Sequence, residues 1–138
     1  MSAKNTTETM SKNAVANPRF EYDALLLGWL VPGAGHLLNR KPIRAALLFV
    51  SITSMFVLGL AMQGKLYASA SDVLDILGLA GDLGNGLLFF VSRLAGLGTL
   101  PVQVTTADYG TRFIVVAGLL NFMSAVDAHN LRIGRKAA

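Results

Sequence analysis

The chain has 138 residues, 53% of them hydrophobic and 14% charged, with a mean hydropathy of +0.52. A soluble domain carries about 25% charged residues, and so short a chain buries the smallest share of its surface, which argues against water as the main solvent and for one compact unit. The absence of cysteine excludes disulfides, thiolate metal sites and cysteine nucleophiles, and the net charge of +4 comes from small basic clusters beside apolar runs, which suit anionic lipid head groups and not nucleic acid, whose binding needs a dense basic stripe.

Residues 1–20 read as a disordered polar tail without the apolar run of a secretory signal. Residues 21–138 read as a single helical membrane domain. Its first apolar stretch, Ala24 to Leu38, is fifteen residues long, short of the roughly 20 a spanning helix needs. Pro32 removes a backbone donor in its middle, and Gly33 and Gly35 ease the bend, so a broken helix, re-entrant or tilted, is expected. After the basic turn Asn39 to Arg44, Pro42 is placed to open a helix at its first position. Ala45 to Gln63 carries no charge over nineteen residues and reads as a transmembrane helix. Ser51, Thr53, Ser54 and Gly59 within it are expected to pack against a neighbour.

Asp72 is expected to cap the next helix. From Val73 to Leu100 the chain is apolar but holds Asp75, Asp82 and Arg93, which an unbroken helix would align within about 20°. The expectation is one helix with a polar stripe, lying in the interface or spanning with Asp75 or Asp82 paired to Arg93, although the run Gly81 to Gly86 would weaken it. Pro101 to Gly110 reads as a polar turn, and Phe113 to Ala128 as the second transmembrane helix, with a close-packing seam through Ala117, Asn121, Ala125 and Ala128. The fold class is therefore an all-α membrane protein: a small helical bundle of two transmembrane helices plus two broken, re-entrant or amphipathic membrane segments.

Basic residues favour the cytoplasmic side of a membrane. If the segment around Pro32 does not cross, nine of the twelve basic residues share one side: Lys4, Lys12, Arg19, Arg40, Lys41, Arg44, Arg132, Arg135 and Lys136. Both termini are thus expected on the cytoplasmic side of the membrane. Trp29, Tyr22, Tyr67 and Tyr109 are expected near the membrane boundaries as aromatic anchors.

Residues able to carry chemistry are few. His36 and His129 could hold a metal with Asp127, or a haem or pigment as axial ligands, but their spacing has no ligand signature and capping or interfacial roles are expected. Asn121 and Asp127 lie in or near the membrane, where polar groups mark functional sites; the plainer expectation is interhelical bonding, with Asp127 paired to Arg132, Arg135 or Arg44. Ser51, Ser54, Ser92 and Ser124 have no adjacent base and no nucleophile elbow. The glycines from Pro32 to Gly35 precede no Gly-Lys-Ser/Thr, which excludes a phosphate loop.

The run Leu30-Val-Pro-Gly-Ala-Gly-His-Leu-Leu-Asn39, with Ala45 to Phe49 after it, resembles small bacterial membrane proteins carrying a Pro-Gly-x-Gly motif before a helical hairpin, the broad group of two-transmembrane-helix domains. Gly28 to His36, Gly64 to Tyr67, Asp108 to Gly110 and Ala117 through Asp127 to Lys136 together resemble an uncharacterised family of bacterial membrane proteins of acidobacterial type. That resemblance implies fold and location and no mechanism. The leading expectation is a non-enzymatic membrane protein without a cofactor, an accessory, assembly or scaffold subunit packed against other membrane proteins or its own copies. An oligomeric channel or transporter-like protein using Pro32, Gly33, Gly35, Asp82, Arg93, Asn121 and Asp127 is the second reading, and a pigment- or haem-binding subunit using His36 or His129 the third.

Overall fold

A computed structural model describes residues 22–99 and 105–134. Among them the fold is all-helical. Six helices follow in chain order: α1 (Asp23–Leu30), α2 (Ala34–Leu38), α3 (Pro42–Ala61), α4 (Val73–Gly84), α5 (Leu87–Leu94) and α6 (Thr106–Arg132). The expected tail over residues 1–20 lies outside the described residues, as does Arg135.

Two helices, α3 and α6, are long and apolar enough to cross a membrane. The 20 residues of α3 extend about 30 Å, the thickness of a bilayer's hydrocarbon core. Pro42 opens α3 as expected. Helices α2 and α3 each end in a Schellman closure: the Lys41 and Arg40 amides return to the His36 and Leu37 carbonyls, and those of Gly64 and Gln63 to Gly59 and Leu60. Arg40 and Gln63 take the left-handed conformation at these ends, with φ of 57° and 60°.

α6 is the axis of the bundle and contacts α1, α2, α3 and α4. Its buried residues include Ala107, Gly110, Ile114, Ala117, Asn121, Ser124 and Ala128, a spacing of three and four that lays one stripe along the helix. Its exposed large apolar residues include Phe113, Leu119, Leu120, Phe122 and Met123. The small and polar groups thus face inward and the bulky apolar ones outward, the arrangement that lipid favours, since small residues let helix backbones approach. The expected seam of Ala117, Asn121, Ala125 and Ala128 is fully buried. A Cβ at Gly118 would overlap the Gly81 carbonyl oxygen, and one at Gly84 the Gly118 carbonyl oxygen, so α4 and α6 touch main chain to main chain. The core proper is small: Ile52, Phe56, Leu66, Phe89, Ile114 and Ala117.

Three expectations are corrected. The last helix begins at Thr106, not Phe113, and the described part of the expected polar turn is its first turn. Gly110 sits inside that helix because its bare backbone meets the Gly59 carbonyl and Gly64, so glycine here permits a crossing and does not end a helix. The Val73–Leu100 segment is not one helix: α4 and α5 meet at 105°. The break falls at Asn85 and Gly86, where Gly86 takes φ of 56° and a Cβ would overlap the Trp29 carbonyl oxygen. Finally, Ser51 and Ser54 face outward, while Thr53 and Gly59 lie inward or partly so.

Candidate functional site

The short helices form two hairpins that approach α6 from opposite ends. At the C-terminal end of α6, the Tyr22 ring stacks on His129 at 5.6 Å and Asn39 Nδ2 donates to the Ala128 carbonyl at 2.8 Å. The start of α1 and the end of α2 therefore lie beside the same turns of α6. Between them the chain reaches Asn121, two helical turns or about 10 Å deeper, where the Trp29 carbonyl accepts from Asn121 Nδ2 at 2.8 Å. The segment enters and returns, as the Pro32 break leads one to expect. A Cβ on Gly35 would stand 2.5 Å from the Ala24 carbonyl oxygen and 2.7 Å from the Ala128 methyl, which explains why α1, α2 and α6 can meet there.

The second hairpin mirrors this from the other end. The Lys65 amide donates to Thr111 Oγ1 at 2.9 Å, near the start of α6. α4 then runs alongside α6, with Gly81 against Val115 and Gly84 against Gly118. After the 105° break, α5 leads back until the Leu66 amide donates to the Gly98 carbonyl at 3.0 Å. The chain thus returns beside the strandless stretch from which it set out.

The two tips meet at Asn121. Its amide nitrogen donates to Trp29 O and, at 2.9 Å, to Gly84 O, the carbonyls left over where α1 and α4 end. Trp29 Nε1 completes the junction by donating to the Leu83 carbonyl at 2.9 Å. Trp29 therefore stands at the tip of the first hairpin, bonded to both α4 and α6. Asn85 Nδ2 donates to the Ile114 carbonyl at 3.0 Å. Asp82, fully buried, accepts from the Tyr67 amide at 2.7 Å. Pairing of Asp82 with Arg93 does not occur: Arg93 is exposed on α5, beyond the break that removes the expected alignment. Asp75 is half-buried on α4.

At the far end of the first hairpin, His36 Nε2 lies 3.2 Å from Asp127 Oδ2. His36 is 2% exposed. The sequence separated these two residues by 91 positions and suggested arginine partners for Asp127; the fold of α1 and α2 against α6 brings the His36 imidazole to it as a partner. His129 stacks on Tyr22 and does not share this contact. Among the described residues no group of three or more His, Asp or Glu could hold a metal ion. Pro32 and Gly33 form the turn between α1 and α2, with Gly33 at φ of 79°.

The junction is rich in acceptors. Besides the bonds named, the buried atoms Asp82 Oδ1, Asn85 Oδ1 and Asn121 Oδ1 have no hydrogen-bond partner among the described residues. Sequence reasoning found Asn121, Asp82 and His36 but missed Asn85 and Tyr67. The Asn-Gly pair at the break was the available signal for Asn85; no local pattern marks the Tyr67 amide.

Two apolar, membrane-length helices braced by two broken pairs define an integral membrane type of helical bundle. The chain belongs to a family of unknown function, DUF6677, whose profile matches residues 23–137. No curated protein and no solved structure matches it.

Proposed function

We propose that this chain is a non-enzymatic integral protein of the bacterial inner membrane, with both termini cytoplasmic, that serves as an accessory, assembly or scaffold subunit packed against other membrane proteins. The observation that carries this reading is the Asn121 junction. Its donors go to the main-chain carbonyls of Trp29 and Gly84, so a fully buried polar group ties three helices together, a role of interhelical glue. Large apolar side chains remain on the outside for lipid or a neighbouring subunit.

The orientation is supported by the first hairpin. Because Asn39 bonds the Ala128 carbonyl, the turn carrying Arg40, Lys41 and Arg44 lies at the same end of α6 as Arg132, and basic residues gather on the cytoplasmic side. Purification of the tagged protein from its native membrane in mild detergent, with identification of co-purifying chains, tests the role. A stoichiometric membrane-protein partner is the expected result; a partner-free monomer after cross-linking in the native membrane overturns the proposal. Single cysteines at Ser2, Lys41, Ser69 and Ala138 test the orientation, with only position 69 labelled from outside. Outside labelling at position 41 refutes it.

A further inference from the structure

An apolar cleft of about 280 Å³ lies between the first hairpin and α3, lined on the hairpin side by Val31, Pro32, Gly33 and Ala34 and along α3 by Pro42, Ala45, Ala46 and Phe49. From Pro42 to Phe49 it follows two turns of α3, about 10 Å along the direction of the spanning helix. At its Pro42 end stand three cations within five residues, Arg40, Lys41 and Arg44, exposed or partly so. Lys41 and Arg44 immediately precede the lining residues Pro42 and Ala45. None of the three forms an ion pair with a carboxylate among the described residues. The Schellman closure at Arg40 fixes the turn that carries them.

An apolar cleft with cations beside its Pro42 end has the polarity of one molecule standing upright in a leaflet. We propose that it binds an anionic phospholipid, an acyl chain lying along Pro42 to Phe49 and reaching the Pro32 break, the phosphate held by Arg40, Lys41 and Arg44. Charge discriminates against a neutral lipid, since clustered basic residues beside a membrane segment select anionic head groups. The Pro-Gly break thereby acquires a use, because a helix continuous through Pro32 would leave no recess beside α3.

The test is native mass spectrometry of the full chain in detergent, titrated with phosphatidylglycerol and with phosphatidylcholine of the same acyl chains. One tightly held phosphatidylglycerol and weaker phosphatidylcholine are expected. Replacing all three cations, Arg40→Gln with Lys41→Gln and Arg44→Gln, is expected to weaken phosphatidylglycerol binding about a hundredfold, the product of the contributions of three interfacial cations. Ala46→Trp, at an exposed position that fills the cleft without touching the core, is expected to abolish tight binding while circular dichroism stays unchanged. Arg93→Gln, an exposed cation away from the cleft, is expected to change nothing. Equal retention of the two lipids, full binding by Ala46→Trp, or displacement of the lipid by inorganic phosphate alone would overturn the proposal.

Discussion

Replacing Asn121 with leucine keeps four side-chain heavy atoms and the same branching but removes the two bonds that its amide nitrogen donates. The carbonyls of Trp29 and Gly84 then lose the bonds of 2.8 and 2.9 Å that Asn121 supplies at the ends of α1 and α4. Hydrogen bonds between membrane helices average about 0.6 kcal/mol, whereas a buried acceptor left without a donor costs about 1–3 kcal/mol. Two such losses bracket the effect between roughly 1 and 6 kcal/mol. The assay is reversible unfolding of the purified protein in mixed micelles of increasing SDS fraction, followed by helical circular dichroism. Ser124→Ala is the matched control, because Ser124 lies in the same buried stripe of α6 while its hydroxyl has no partner among the described residues, and its loss should move the midpoint little. If Asn121→Leu unfolds together with Ser124→Ala, the junction does not hold the hairpins and the reasoning fails.

Gly118→Ala is expected to destabilise by about 1–3 kcal/mol, the usual cost of overpacking, because the new methyl would overlap the Gly81 carbonyl oxygen and stand 2.8 Å from Asn85 Nδ2; an unchanged SDS midpoint would show that α4 and α6 do not touch there. For His36 and Asp127, 3.2 Å apart, a double-mutant cycle of His36→Ala and Asp127→Ala should return a coupling of about 1 kcal/mol, below that of a fully buried pair because the Asp127 side chain is 31% exposed. Additive effects of the two substitutions would dissolve the pair.

What the sequence made legible was what local rules govern. The charge-free run ending α3, the break at Pro32, the Asp72 cap, whose carboxylate accepts from the Val73 amide at 2.7 Å, and the inward seam of α6 each depend on residues within a few turns of one another. What escaped was set by contacts distant in the chain. The aligned Asp75, Asp82 and Arg93 presumed unbroken helical geometry, which ends at Gly86 because that residue's backbone lies against Trp29. Thr106 to Gly110 read as part of a turn because its polar residues and glycine have loop character, and only the proximity of Gly59 and Gly64 gives Gly110 a helical use. His36 and Asp127 were both singled out, yet 91 positions separate them, and no periodicity could bring them together.

The two hairpins also impose an order on biogenesis. Asn121, which bonds carbonyls at both tips, belongs to the last of the described helices to leave the ribosome. Until it arrives, the ends of α1 and α4 carry main-chain acceptors that hydrocarbon cannot satisfy, so the early segments have reason to wait in the interfacial water. Arrival of α6 then gives each hairpin, one from either end of that helix, its partner at Asn121. A chain stopped short of residue 121 would keep α3 as a span and have nothing to seat the segments on either side of it.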